Sequence, residues 1–422
     1  MIAIPFIYFT LLTAYWWYKH QGFDVCVYMS ALYALTSFCG VCVVAGGLLD
    51  ANGILFDEYN LELGIVPTFL YCSLITLGIY PFSLIYRKDM EKPKEFNSLG
   101  LDIFCWILIV VSLINIYLVY DSTGEVLSGD LSTVRMDHYE GFKSPAQLKA
   151  ATLPRIFGYI FYFKSATILA LPLFFFYVSC TSKPWWFNAL LMLTSLTMPI
   201  NCMQLADRTE FTFYGLMFAF CLVFFWKFLS KRFKWGLAFA GTPFMLAVLA
   251  YLAAVSQARF AQNDDNEKAY EAALQYAGQN YLNFCYFWEH AKTQYVAPER
   301  EFPFTYHTLF KIDSNPERRD ERSGQQGFWM SVFATYAGDV LLDLTPIGAI
   351  LWCFALFLIS LIIIRYSHRR IYDAGDILAI FFLAAIPIFG IFYYRYYSFD
   401  YIYELLPVIA VYILMKNKIV YE

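Results

Sequence analysis

Arginines that lie next to carboxylates or histidines are the residues of this sequence best suited to chemistry. Arg135 lies three residues before His138, and Arg208 lies between Asp207 and Glu210. The planar guanidinium of arginine binds phosphate through paired hydrogen bonds. A neighbouring carboxylate or imidazole can remove a proton from a hydroxyl group. These residues therefore predict a site that binds a phosphate-bearing substrate and activates a hydroxyl.

The remaining basic candidates lie in polar segments of the chain. Arg155 follows a proline directly at the start of an apolar run, at the depth of lipid headgroups. The other candidate phosphate ligands are Arg300, Arg318 and Arg322, and the other candidate base is His307. Each candidate has an alternative interpretation. The dense mixed-charge run that contains Arg318 and Arg322 is typical of a solvated loop, and the Asp207–Glu210 turn is typical of a local ion-pair cap. The histidines could be ordinary surface residues.

Composition sets the class of protein that must position these residues. Of 422 residues, 59% are hydrophobic and only 15% are charged, and the mean hydropathy is +0.50. Soluble domains carry about 25% charged residues, and repeated apolar runs of about 20 residues can each cross a bilayer. We therefore predict an all-α polytopic membrane protein with about 11 transmembrane helices and a large, partly helical extracytoplasmic loop. The net charge of −4 argues against nucleic acid as a partner.

The polar segments divide the chain and orient it. Residues 1–255 are predicted to hold transmembrane helices 1–8 with an extracytoplasmic loop at about 121–155, residues 256–330 the large extracytoplasmic loop, and residues 331–422 helices 9–11. Short basic loops stay in the cytoplasm. With eleven spans, four basic clusters share one side: 87–94, 231–234, 365–370 and 416–418. The C-terminus is thus predicted to be cytoplasmic, whereas the short first apolar run could instead be re-entrant.

One helix is predicted inside the large loop. Apolar residues from Tyr270 to Trp288 recur every three or four positions, which places them on one face of a helix of about 25 residues. This helix could pack on the membrane domain or lie among the headgroups. Alternatively it could form the wall of a substrate cleft, with Tyr276 and Tyr281 stacking on sugar rings. Cys285 on this helix is expected to be accessible to a thiol reagent from outside.

Several signatures are missing from the sequence. It contains no glycine-rich phosphate loop, and no His/Cys cluster has the spacing of a metal site. Apart from Cys285, the ten cysteines lie in or beside apolar runs, which indicates core packing rather than a disulfide framework. We therefore expect neither a metal nor another cofactor.

Two stretches resemble the bacterial oligosaccharide repeat-unit polymerases, the Wzy-type O-antigen polymerases. They are Tyr276–Phe287 on the predicted loop helix and Phe333–Gly348, which leads into the ninth apolar run. In that family a similar Gly-Asp stretch and a later glycine mark re-entry into the membrane. The layout of many spans with one large outer loop is also similar, and the resemblance covers about residues 200–366. The chain departs from the family in its apparent odd number of spans.

The resemblance implies glycosyl transfer at the outer face of the bacterial inner membrane. A glycan on undecaprenyl diphosphate would move onto a hydroxyl of a fresh lipid-linked repeat unit, giving O-antigen or capsule. The implied partners are undecaprenyl-diphosphate-linked oligosaccharide, membrane lipid and a chain-length regulator protein. Two alternatives remain open: an O-antigen ligase, which differs in its acceptor, and a flippase for lipid-linked oligosaccharides.

Overall fold

In the residues that the computed structural model describes, the chain has helices joined by turns and irregular segments, and no strands. These residues are 1–49, 53–56, 61–85, 90–93, 98–128, 149, 152–180, 182–203, 208–239, 241, 269–291, 324, 327–328, 330, 332–366, 372–397 and 401–416. The α-helices are α1 (Ala3–His20), α2 (Val25–Ala45), α3 (Ile65–Ile79), α4 (Ser98–Ser128), α5 (Arg155–Tyr162), α6 (Ala170–Cys180), α7 (Trp185–Ser195), α8 (Thr197–Met203), α9 (Thr209–Phe225), α10 (Ala269–His290), α11 (Thr335–Tyr366), α12 (Ala374–Phe389) and α13 (Ile402–Lys416). Short 3-10 helices cover Tyr80–Leu84, Phe163–Leu169 and Arg395–Tyr397. The predicted all-α class is confirmed for this part of the chain.

Several helices have the length and composition of membrane spans. Within the described ranges, the long apolar stretches are Val25–Ala45, Ile65–Leu84, Leu99–Tyr120, Phe157–Cys180 and Thr335–Arg365. Shorter apolar helices are Thr209–Phe225, Ala374–Phe389 and Ile402–Met415. The helical membrane class is therefore supported, whereas the number of about 11 spans and the loop-based division of the chain remain predictions.

Helix α1 turns an apolar row outward. Its exposed large side chains include Ile4, Ile7, Leu11, Tyr15 and Tyr18, spaced by three or four residues along one face. The opposite face packs against α2. A short turn joins the two helices, in which the Asp24 carboxylate accepts the Val27 N–H at 3.1 Å and caps α2. An exposed apolar row along a helix in a membrane protein is suited to contact with lipid.

The described chain forms two compact units. Unit 1 contains Met1–Asp89, Lys268–His368 and Leu383–Tyr401, and its core is a cluster of buried aromatic rings. The Phe9 ring lies 5.4 Å from Tyr33 and 6.0 Å from Tyr71. Tyr71 in turn lies 5.0 Å from Tyr281 and 5.4 Å from Phe284 of α10. Helix α10, from the middle of the predicted loop, thus shares one core with the first three helices.

Two glycines bring α2 and α10 into backbone contact. A Cβ atom on Gly278 of α10 would lie 2.7 Å from the Gly40 nitrogen and 2.8 Å from the Cys39 carbonyl carbon. A Cβ atom on Gly40 would lie 3.0 Å from the Gly278 oxygen. The two backbones are so close that no side chain fits between them. Glycine permits this close approach, as small residues do where helices pack in membranes. The position of α10 therefore depends on these glycines.

Unit 2 contains Met90–Glu267, Arg369–Phe382 and Ile402–Glu422. Its core is also aromatic: the rings of Phe175 and Phe225 stack at 5.9 Å, and both are buried. Where α4 begins, the Asp102 carboxylate accepts hydrogen bonds from Lys183 Nζ at 2.7 Å and from the Tyr177 hydroxyl at 3.3 Å. These polar contacts join the start of α4 to the end of α6 and to the segment between α6 and α7.

Candidate functional site

Helix α11 is interrupted one third of the way along. Its first ten residues, 335–344, form a half-helix that ends at Thr345, whose φ of 65° and ψ of 167° are not helical. Pro346 follows and cannot supply a backbone N–H to the helix. Thr335 at the start of the half-helix also has a positive φ, 67°. A β-branched residue rarely adopts such angles, and backbone strain of this kind concentrates at functional sites.

The half-helix carries two buried carboxylates. Asp339 and Asp343 are one helical turn apart, and they are 1% and 2% exposed. Both lie within the candidate span Thr335–Arg365. Because an ionisable side chain inside a membrane is expensive to bury, its presence there points to a functional role. The half-helix is therefore the centre of the candidate site.

A buried arginine lies on the segment that packs against this half-helix. Arg395 is 7% exposed, and its guanidinium carbon lies 6.0 Å from the centre of the Phe389 ring. The preceding residue, Tyr394, packs edge-on against Trp352 of α11 with ring centres 5.2 Å apart. Arginine tolerates such surroundings better than lysine because its charge is delocalised and weakly hydrated. A guanidinium held in an aromatic setting is suited to binding an oxyanion away from bulk water.

Three hydrogen bonds, which we call the clasp, join the half-helix to the segment 390–394. The Thr335 N–H donates to the Phe392 oxygen at 3.0 Å, and the Tyr336 N–H donates to the Gly390 oxygen at 3.1 Å. The Tyr394 N–H donates to Asp339 Oδ2 at 2.7 Å. The first two bonds satisfy N–H groups that the start of a helix leaves without partners. The clasp thus links the carboxylate segment to the residue just before Arg395.

Helix α10 carries a row of buried side-chain amides that bind the backbone of neighbouring segments, including the one that precedes α11. They are Gln275, Gln279 and Asn283. Gln275 Nε2 donates to the Leu48 oxygen at 3.0 Å. Asn283 Nδ2 donates to the oxygens of Gly53 and Phe333 at 2.9 Å each, and its Oδ1 accepts the Leu55 N–H at 3.1 Å.

These amides give the backbone of two irregular segments the partners that a regular helix would have supplied. One of those segments, around Phe333, leads directly into the strained start of the half-helix.

The predicted loop helix is confirmed, but the face it buries is wider than predicted. The helix runs from Ala269 to His290, close to the expected extent. Gln275, a polar residue outside the predicted apolar row, is 2% exposed. Cys285 is fully buried, so the expectation that it is accessible from outside is wrong. The burial of Gln275 and Cys285 was missed because a helix in a polar loop was expected to bury only one face. Instead, α10 packs against three helices, α2, α3 and α11.

The two tyrosines predicted to contact sugar have different surroundings. Tyr281 is 2% exposed, its ring packs on Tyr71, and its hydroxyl shares a 2.6 Å hydrogen bond with Thr68 Oγ1. It therefore belongs to the packed core of unit 1. Tyr276 is half-buried, with its ring centre 5.7 Å from that of Phe333. Tyr276 is thus the tyrosine with a surface that a ligand could reach.

Of the predicted site residues that the structure describes, three lie in unit 2. Arg155 is exposed at the first turn of α5. Arg208 is half-buried and precedes α9, and Glu210 in the first turn of α9 is 7% exposed. A carboxylate in the first turn favours a helix start through the helix dipole, which agrees with the alternative of a local cap. The other candidates lie outside the described residues, namely Arg135, His138, Asp207, Arg300, His307, Arg318 and Arg322.

No protein-family model, curated protein or solved structure matches the chain. The class of protein is therefore defined by the fold and the site alone: a helical membrane protein with a broken helix that carries buried charges. In the described ranges, no group of three or more His, Cys, Asp or Glu side chains could hold a metal ion.

Sequence reasoning missed Asp339, Asp343 and Arg395 as site residues. The two aspartates lie four residues apart in a stretch that the sequence already singled out, Phe333–Gly348. That spacing places both on one face of a helix, and the Thr-Pro pair that follows signals a break. Arg395 lacks such a signal, because its tyrosine-rich surroundings are typical of a membrane interface.

Proposed function

We propose that the chain is a membrane glycosyltransferase that polymerises undecaprenyl-diphosphate-linked oligosaccharide repeat units at the outer face of the bacterial inner membrane. The observation that carries the proposal is the set of buried charges at the broken helix: Asp339, Asp343 and Arg395. Departure of a lipid diphosphate develops negative charge, which a pre-positioned cation stabilises best away from water. The acceptor hydroxyl needs a base, and a carboxylate can serve.

In the proposed reaction, Arg395 binds the departing diphosphate, and Asp343 is the candidate base. The hydroxyl proton moves to the carboxylate, the hydroxyl oxygen bonds to the sugar carbon, and the bond from that carbon to the diphosphate oxygen breaks. The products are an elongated glycan on one lipid and a free lipid diphosphate. The arginines predicted from sequence, among them Arg155 and Arg208, are proposed to guide the lipid diphosphates from the headgroup layer.

We further propose that the chain crosses the membrane about 11 times, with its C-terminus in the cytoplasm and the large loop outside. A chain-length regulator is the proposed protein partner. An O-antigen ligase would use the same donor with a different acceptor.

A flippase for lipid-linked oligosaccharides is the second candidate, and one observation favours it. Carriers that move charged headgroups through a bilayer use ionisable groups inside their spans, and Asp339 and Asp343 lie within a candidate span. The two functions differ in the intermediate that accumulates when the protein is absent.

Deleting the gene in its native host tests the proposal. We expect surface glycans of a single repeat unit on their usual carrier, because flipping and ligation would continue without chain extension. Long chains held on undecaprenyl diphosphate would identify a ligase instead, and single units trapped on the cytoplasmic leaflet would identify a flippase. Gel electrophoresis and mass spectrometry of the lipid-linked and surface glycans separate these outcomes. Normal long chains, in a host without a second polymerase gene, would refute all three.

A further inference from the structure

We propose that Asp339 is a positioning residue whose carboxylate fixes the backbone before Arg395 and thereby aims the guanidinium. This inference rests on the proposed function for its consequence in activity, but the contact itself is independent of that function. Asp339 would act through the Tyr394 N–H, so its hydrogen-bond acceptor matters more than its charge.

The geometry of the contact supports this role. Asp339 Oδ2 lies 2.7 Å from the Tyr394 nitrogen, within the range of a well-formed N–H···O bond. The residues between Gly390 and Tyr394 lie between α12 and the 3-10 helix Arg395–Tyr397. The Gly390 and Phe392 N–H groups donate locally, to the Ile386 oxygen at 2.8 Å and the Phe389 oxygen at 3.0 Å, whereas the Tyr394 N–H donates to a side chain of another helix. Asp339 supplies that side chain at the residue adjacent to Arg395.

The two strained threonines indicate that surrounding contacts hold the half-helix in this position. Thr335 and Thr345, with φ of 67° and 65°, mark the start and end of the half-helix. Unfavourable backbone angles persist only where surrounding contacts enforce them. The clasp bonds of Thr335 and Tyr336 supply such contacts at the start. The half-helix is therefore held at a fixed position against 390–394, and Asp339 transmits that position to Arg395.

Hydrogen exchange tests the contact without any measurement of activity. In detergent-purified full-length protein, Asp339→Leu should speed exchange of the Tyr394 amide on the order of tenfold, because the amide loses its hydrogen bond. Asp339→Asn should leave exchange close to wild type, because the amide oxygen of asparagine can accept the same bond. Equal protection of this amide in wild type and in Asp339→Leu would overturn the inference, whatever the protein's reaction proves to be.

Activity measurements test whether Asp339 acts through Arg395. Polymer yield per folded protein should fall on the order of 100-fold in Asp339→Leu, since a displacement of about 1 Å can cost that much. Arg395→Ala should show a similar loss, and the double variant should be no worse than either single one. Losses that multiply in the double variant would show independent roles and overturn the positioning role.

A third substitution keeps the test decisive if Asp339→Leu fails to fold. Asp339→Glu retains the charge but moves the acceptor by one methylene, whereas Asp339→Asn removes the charge and keeps the acceptor in place. Positioning predicts higher yield for the asparagine variant, with the pH profile of the reaction unchanged. Higher yield for the glutamate variant would assign Asp339 a charge role and overturn the inference.

Discussion

Replacing Arg395 by alanine is expected to lower polymer yield on the order of 100-fold or more. The reason is that the buried guanidinium is proposed to stabilise the departing diphosphate in surroundings that exclude water. Arg395→Lys should recover little activity, because an ammonium offers a point charge in place of a planar fork. Yield is measured as glycan chain length and amount in a deletion strain that carries each variant.

Protein amount must be measured alongside activity in this experiment. Removing one member of a buried set of charges can cost about 3–5 kcal/mol in stability, so Arg395→Ala can also reduce the folded protein. Yield is therefore divided by the protein that elutes as a single species in detergent. Arg232→Ala is the matched control, because Arg232 is exposed. Wild-type yield per folded protein in both Arg395 variants would exclude this residue from the reaction.

Replacing Gly278 by leucine is expected to remove folded protein from the membrane. Even a Cβ atom at this position would lie 2.7 Å from the Gly40 nitrogen. The obstruction is backbone, which cannot rotate away as a side chain can. Overpacking a core typically costs about 1–3 kcal/mol, and we expect at least the upper end here. Membrane immunoblotting and thermal unfolding in detergent give the measurement.

Gly215→Leu provides the control for this substitution. Gly215 also lies inside a helix, α9, but apart from its chain neighbours and the adjacent backbone of α9, no described atom lies within 4 Å of a Cβ built on it. The same residue change at an open position should leave the amount and the unfolding temperature near wild type. If Gly278→Leu were as stable as Gly215→Leu, α10 would not pack against α2 as described.

The membrane class and the existence of α10 could be predicted from the sequence, because both depend on local patterns. Apolar runs are visible directly in the order of the residues. The residues from Tyr270 to Trp288 have helical spacing that does not depend on distant contacts. The burial of Gln275 and Asn283 could not be predicted. It depends on backbone groups of Leu48, Gly53, Leu55 and Phe333, which lie far away in the sequence.

The site was harder to predict than the fold. The sequence pattern used to predict the site was arginine or histidine next to a carboxylate. Such clusters occur mainly in polar, solvent-exposed segments, so the pattern favours those segments over buried ones. Asp339 and Arg395 are 56 residues apart and are connected through the Tyr394 N–H, a backbone contact that no side-chain pattern encodes. Tyr281 was predicted as a sugar ligand from its residue type. Its ring instead packs on Tyr71 in the core, a contact between distant parts of the sequence.

Transfer by the purified protein is the most direct test of the proposed reaction. Lipid-linked repeat units are extracted from the deletion strain and incorporated into liposomes together with the full-length protein. We expect glycans of two or more units on lipid diphosphate, released free lipid diphosphate in matching amount, and neither product with Arg395→Ala. Single units that remain unextended in the presence of folded wild-type protein would contradict the account.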